Sequence, residues 1–411
     1  MSTAVRKTHR VVSKCPEGVV AVINPGSVLA AALAIPTLAI HAIAAQALPS
    51  TSGASLTNEM PATNAGEQVF NLRWLSYRDW QPGFDRIKVH APAAGLQLSL
   101  SESLWLDASA TVDSVSGASP RYHSAVSGAS AMVDRRNAGT LGLRYRVGQW
   151  QWAGGLARSK ENDFDSRAAT AQLAWETEDK NRRFNVGLGR RLDQIGSVND
   201  PILHESRQTT EISLALSQVM SARDVVQLAY WRSSGEGYFS DPYKLPDERP
   251  RDRLQQSLQW RWNHYQTSLQ IPLRFGYRYY NDSFGVRAHT LWFEPQFNVS
   301  DRLSFIPTVR LYNQSAASFY YNPRYAYRGI PIPEGYQPGL SQWVSADQRL
   351  ASFGALTLGV QWIFQIDKHY SLDFGVYRYE QRTSWHWISP GSRGLEPLRA
   401  LSLQSGISYR F

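Results

Sequence analysis

His123, Ser124 and Ser127, with Asp113 upstream and Asp134 downstream, are the residue types of a nucleophile, base and acid for acyl transfer. That chemistry needs the serine on a strained turn beside backbone donors. Neither a G-x-S-x-G elbow nor the paired Asn and Asp of barrel phospholipases occurs in the chain. A hydrolase is therefore the least supported reading, the expectation is that the protein is not an enzyme, and no catalytic residue is assigned. Asp107, Asp113, Glu161, Asp163 and Asp165 carry hard oxygen ligands suited to Ca²⁺, but their spacing fits no defined loop and solvated acidic side chains account for them. No metal and no cofactor is expected. Asp113, Arg121 and His123 stand as candidate loop contacts for a ligand. Trp385-His386-Trp387, Tyr320-Tyr321, Tyr325 and Tyr327 gather rings that suit either a water–lipid interface or stacking on a glycan or other ring-shaped ligand.

Arginine spacing carries more. Arg73, Arg144, Arg146, Arg183, Arg191, Arg261, Arg274, Arg278, Arg310 and Arg410 fall at alternate positions between apolar residues, as do Asp107, Asp113, Glu176, Glu211, Glu294 and Asp373. An arginine on the dry face of a soluble sandwich is costly, whereas the inner wall of a barrel is wet. Arg144, Arg146, Arg274, Arg278 and Arg310 are thus the candidate lining of a net basic lumen, suited to anionic or small polar solutes. The same residues could instead zip to the carboxylates and merely stabilise the wall.

The elements that must position them are strands. Leu401 to Phe411 alternates, with Leu401, Leu403, Ile407, Tyr409 and Phe411 in one phase and Ser402, Gln404, Gly406, Ser408 and Arg410 in the other. Thr267, Leu269, Ile271, Leu273, Phe275, Tyr277 and Tyr279 share a face against Gln270, Arg274, Gly276 and Arg278. Leu356 to Phe364 and Tyr370 to Val376 repeat the pattern. Short turns are expected near 100–103, 148–149, 178–181, 221–223, 263–265, 299–301 and 366–369, and long connections at 116–137, 195–206, 237–251, 316–346 and 385–397. Short turns on one side and long loops on the other are the plan of an antiparallel, up-and-down transmembrane β-barrel, here of about 16 strands within a range of 14–18. Pro92 and Gly95 in the 86–98 stretch, and the ambiguous 344–355, set that range.

Composition agrees with an all-β membrane class. Aromatics make up 12%, with 14 Trp and 20 Tyr, yet mean hydropathy is −0.37 and no mature segment has the ~20-residue apolar run of a spanning helix. Arg6, Lys7, Arg10 and Lys14 precede an apolar run from Val28 to Ala45, and Ala45-Gln46-Ala47 offers a small-x-small cleavage site. Residues 1–47 read as a secretory signal peptide, 48–66 as a short periplasmic lead-in and 67–411 as the barrel. Cleavage removes four basic residues and Glu17, taking the formal charge from +9 to +6. It also removes Cys15, the single cysteine, and with it any disulfide or thiolate chemistry. The remaining arginines are spread along strands and form no basic stripe, so nucleic acid is not an expected partner.

The run VDSVSGASP from Val112 to Pro120, with a second VSGAS at 126–130, LRWLSYRDWQPGFDRIKV at 72–89 and SADQRLASFG at 345–354, resembles a family of proteobacterial outer-membrane proteins known as domain of unknown function 3570. The resemblance implies a barrel in the bacterial outer membrane and brings no assigned catalytic or ligand residues. The expected partners are outer-membrane lipid, the barrel-assembly machinery and a small anionic solute. A channel or transporter is the leading expectation; a filled barrel that docks a periplasmic or external protein is the alternative.

Tyr409 and Phe411 form the expected assembly signal on the lipid side of the closing strand. Deleting Phe411 should lower the amount of heat-modifiable barrel in the outer membrane and leave unfolded protein in the periplasm. Normal insertion after that deletion would count against the closing-strand reading.

Overall fold

The computed structural model describes residues 67–117, 132–244, 246–322, 336–337, 340 and 343–411. The leader, the cleavage site and the lead-in lie outside the described residues, as do Arg121, His123, Tyr325, Tyr327 and most of the VSGAS segment. Sixteen strands form one closed antiparallel barrel. They are β1 (Val69–Gln81), β2 (Phe84–Ser99), β3 (Leu104–Gly117), β4 (Met132–Val147), β5 (Trp150–Lys160), β6 (Phe164–Glu176), β7 (Arg182–Ile195) and β8 (Glu205–Ser221). The second half adds β9 (Asp224–Gly237), β10 (Asp252–Gln266), β11 (Ile271–Asp282), β12 (Arg287–Pro295, continued by Phe297–Ser300), β13 (Leu303–Gln314), β14 (Phe353–Gln365), β15 (Tyr370–Arg382) and β16 (Leu398–Arg410).

Each strand pairs with its sequence neighbours, and β1 pairs with β16 in unbroken register from Val69↔Arg410 to Trp80↔Arg399. The Gln68 and Phe411 peptides exchange two hydrogen bonds of 3.0 Å just beyond that ladder. Closure leaves no sheet edge. Short turns gather at the end that carries both strand termini; the far end carries the loops, though 82–83, 161–163 and 283–286 there are also short.

Alternation sorts the side chains. Phe70, Leu72, Trp74, Leu141, Leu143, Leu188, Leu214, Leu258, Leu358 and Phe374 point outward and are exposed. Near the terminal end the outward rings touch across strands. Trp262, Phe275 and Phe293 stack at 5.3 and 4.6 Å, Phe305, Trp362 and Phe374 follow at 5.9 Å steps, and Tyr370, Tyr409 and Phe411 close the series at 4.6 and 5.2 Å. Tyr409 and Phe411 are thus on the outward face, as the period predicts.

The turn expected at 263–265 lies instead at 267–270. Trp262 and His264 remain on β10 because both donate outward to the Asp224 carboxylate, at 3.0 and 2.8 Å, and the ladder continues to Gln266↔Ile271. Gln270 takes a φ of 55°, so Thr267 and Leu269 are turn residues, not strand. The stretch holding Pro92 and Gly95 is strand throughout, and the β2–β3 ladder omits Ala91 and Pro92, where the missing proline N–H falls. The ambiguous 344–355 contains a two-residue strand, Val344–Ser345, a 3-10 turn, Gln348–Leu350, and the start of β14.

Two glycines make room for lumenal rings. A Cβ on Gly276 would sit 1.9 Å from the Trp292 ring, and one on Gly359 would sit 2.0 Å from the Tyr377 ring. Both rings therefore lie flat against the inner wall. Gly276→Val should push Trp292 off that wall at a cost of about 1–3 kcal/mol. The expected readout is a lower unfolding temperature of the folded barrel by gel mobility, and an unchanged temperature would argue against the flat ring.

Candidate functional site

The candidate site is the lumen, whose wall differs from side to side. On β1, β2, β14, β15 and β16 the inward residues Leu75, Tyr77, Ile87, Val89, Phe353, Tyr379, Leu398 and Ala400 form one buried apolar cluster with Leu395 from the last loop. On β3 to β8 the terminal-end half is lined by small and polar side chains that stay partly exposed: Thr140, Gly142, Arg144, Gln151, Ala153, Arg183, Asn185 and Ser213. Among the described residues the lumen wall is thus filled on one flank and lined by polar, partly exposed side chains on the other.

The wet flank carries the arginine pattern, and most of it is paired. Arg144 makes a two-pronged contact with Asp107 at 2.6 and 3.0 Å and Arg146 reaches Glu176 at 2.9 Å; on the other flank Arg73 of β1 reaches Asp373 of β15 at 3.0 Å. Asp113 is a strand residue on β3, not a loop residue, because it faces inward and ion-pairs with Arg136 across the β3–β4 ladder. Asp193 takes Arg207 at 2.7 Å and Arg191 at 3.5 Å. The carboxylates weighed for Ca²⁺ are dispersed: Asp107 and Asp113 hold these arginines, Asp165 points outward to Arg158 at 2.8 Å and Asp163 accepts from Tyr243. Among the described residues no group of three or more metal-ligating side chains comes together.

The cation excess lies elsewhere. On β10 to β13 the inward positions hold Arg253, Arg261, Arg274, Arg278 and Arg310 against Asp282 and Glu294. Asp282 takes Arg253 at 2.6 Å, and Arg274 donates to the neutral Gln296 at 2.8 Å. Arg278 makes no ion pair with any described residue. Arg261 approaches the face of Trp292 at 5.8 Å. Arg310 departs from expectation: it faces inward but is only 3% exposed, its guanidinium 5.9 Å from the Tyr312 ring, so it is covered wall, not wet lining.

Loops roof the far mouth. The 238–251 loop carries Asp241, Lys244, Asp247 and Arg249, and the 315–352 loop carries Asp347 and Arg349; their charges interlock. Lys244 and Arg249 reach Asp347 at 2.7 and 2.8 Å, Arg349 joins it too and reaches Asp241 at 3.0 Å. Asp347 has no exposed surface. A short antiparallel pairing of Asp247–Glu248 with Val344–Ser345 fixes the two loops together. On the other flank the Tyr243 hydroxyl joins Asp163 and accepts from the Val198 N–H at 3.0 Å, so the raft ties the connections after β5 and β7 to that after β13. Ser352 and Ser392 extend it to the last loop through a 2.8 Å bond. Trp387, 53% exposed, stays outside the raft, while Tyr320 packs beneath it. Sequence reasoning missed this cluster. Its local signal, alternating charges in an otherwise aromatic, proline-rich loop, names no partner a hundred residues away.

Burial alone pushes the Asp347 carboxyl up, and Arg349, Lys244 and Arg249 outweigh it and hold it well below the usual carboxylate range. Burial raises Asp247 despite Arg249.

Residues 197–396 match the family described as "Protein of unknown function (DUF3570)". No curated protein sequence matches the chain. Among solved structures, CdiB from Acinetobacter baumannii aligns at 11% identity over 83% of this chain, with a TM-score of 0.47, and the match covers 60% of that protein's length. A bacterial polysaccharide outer membrane secretin aligns at 8% identity over 85% of this chain and 100% of its own, also at 0.47. OccD3 (OpdP) of Pseudomonas aeruginosa gives 8% identity, 85% and 92% coverage and a TM-score of 0.42.

Asp347→Asn removes the negative charge that Lys244, Arg249 and Arg349 share and should cost the raft about 3 kcal/mol. The expected result is faster protease cleavage within 238–251 in a barrel that still runs as folded protein; unchanged cleavage would sink the shared-acceptor account. A depressed folded pKa adds stability above the ordinary carboxylate range and loses it as pH falls through the folded value. The Asp347 contribution should therefore persist through mild acid and vanish only at lower pH. Asp247, shifted the other way, favours the raft in acid and loses that contribution as pH rises through its folded value.

Proposed function

We infer that this barrel, matched over residues 197–396 to a family of unknown function, spans the bacterial outer membrane as a non-enzymatic, gated conduit for small anionic solutes. The exposed outward leucines and the ring series at the terminal end support the membrane setting, since water would penalise them and hydrocarbon would not. The terminal end then faces the periplasm, the loops face outward, and Tyr409 and Phe411 are the contacts offered to the barrel-assembly machinery. The observation that carries the conduit is the wet flank of β3 to β8: small and polar residues leave free width, and it opens opposite the unneutralised Arg274 and Arg278. An anion entering from outside passes where the raft parts, meets those guanidiniums, and moves along paired charges that hold it only weakly. The raft itself favours a second reading, a closed barrel whose loops present a surface to a protein.

Planar bilayer recordings separate the two. The conduit predicts anion preference in a salt gradient and higher conductance for Asp347→Asn. It also predicts that Arg274→Glu with Arg278→Glu shifts the reversal potential toward cations while the barrel still inserts, because lumenal charge stays hydrated. Inserted protein that is silent both as wild type and as Asp347→Asn would favour the docking barrel.

A further inference from the structure

The exterior above the apolar band is not uniformly apolar. Cross-strand register sets Arg378, Leu401, Arg78 and Lys88 side by side, through Arg378↔Leu401, Leu401↔Arg78 and Arg78↔Lys88. All three cations point outward and are exposed. None makes a hydrogen bond or ion pair with any described side chain; Arg78 only lies over the Trp80 ring at 5.5 Å. The nearby carboxylates do not neutralise them. Glu380 is engaged by Arg382 and by Arg399 at 3.3 Å, Asp79 points inward to Arg86 at 3.2 Å, and Asp85 stands at the hairpin tip. Arg78, Asp79, Trp80, Asp85 and Lys88 line a cleft of about 160 Å³, in which Arg86 holds Asp79 and Asp85 makes no ion pair with Arg78 or Lys88.

Height decides what these cations meet. Arg78 follows Val69 by nine residues on β1. At ~3.3 Å per residue that is about 30 Å of strand, and at the 35–45° tilt of such barrels about 23 Å of height. The apolar band is ~25 Å tall. The row therefore lies at the far edge of the band, where a guanidinium or ammonium meets lipid headgroups, not tails. Neighbouring strands are ~4.8 Å apart, so Arg378 and Lys88 are about 14 Å apart, wide enough to engage two phosphates.

On the premise that the barrel spans the outer membrane, we propose that Arg378, Arg78 and Lys88, with Trp80, form a binding site for the phosphates of a bisphosphorylated glycolipid in the outer leaflet. Guanidiniums supply forked donors to phosphate oxygens, the lysine a third charge, and the tryptophan a face for the sugar ring. The apolar wall below, Leu403 and Trp74, takes the acyl chains.

The test uses the folded barrel in neutral detergent and in phosphatidylcholine vesicles, with and without bisphosphorylated lipid A, and a separate arm with inorganic phosphate. Lipid A should raise the unfolding temperature saturably and be retained on purification, and inorganic phosphate at the same concentration should do neither. Arg78→Gln with Lys88→Gln and Arg378→Gln should weaken retention roughly a hundred-fold. Arg78→Lys with Arg378→Lys should keep most of it, and that variant serves if the triple change fails to fold. Equal response to phosphatidylcholine alone, equal response to inorganic phosphate, or full retention by the triple variant would each overturn the proposal. Insertion is scored independently by heat-modifiable mobility, so wild type that inserts but ignores lipid A defeats this site alone, whereas wild type that never inserts defeats the membrane reading as well.

Discussion

Backbone hydrogen bonding is the constraint on which everything else rests. In the membrane setting inferred above, a sheet whose outer face is apolar cannot leave a row of N–H and C=O groups unpaired at its edge, because hydrocarbon offers no water to satisfy them. The β1–β16 ladder removes that edge, and the Gln68–Phe411 bonds extend it to the rim. Once the ring is closed, the strand period of two fixes every side chain as inner or outer. The outward leucines and the inward arginines are one decision seen from two sides.

Closure also explains the pairing of charges inside. Opposed strands bring residues on one face within ~5 Å of each other, so an arginine on one strand meets a carboxylate on the next without any folding of its own. Asp113 with Arg136 follows directly from this register, and Asp107 with Arg144 lies only a diagonal step away. Where the neighbour is a ring, as Trp292 is for Arg261, the guanidinium also gains an aromatic face.

This explains what could be read from the chain and what could not. Strand class, strand number and the facing of Arg274, Arg278, Tyr409 and Phe411 follow from local alternation, which needs no knowledge of partners. The 263–265 turn was misplaced because Trp262 and His264 look like a strand end until Asp224, about forty residues earlier, is seen to hold them. Arg310 has the right phase, yet the packing inside the barrel, which phase cannot report, covers it. Asp347 lies within a recognisable motif, but its three cations come from two loops whose meeting is decided by the closed ring. Period is encoded locally; coverage and long-range pairing are not.

The unequal charging of the two flanks has a further consequence for anything inside the barrel. On β3 to β8 Arg144 and Arg146 close on Asp107 and Glu176 as short dipoles, while on β11 Arg274 bonds only a neutral amide and Arg278 makes no ion pair with any described residue. Arg274 and Arg278 then draw negative charge toward their side of the lumen, across its axis. In the conduit inferred above, a molecule with a negative and a neutral end would be turned sideways before it translates, its negative end toward Arg274 and Arg278. Its length across the barrel, not only its girth, then sets whether it fits. Two isomers of equal charge and volume would be distinguished by where along the molecule the charge sits.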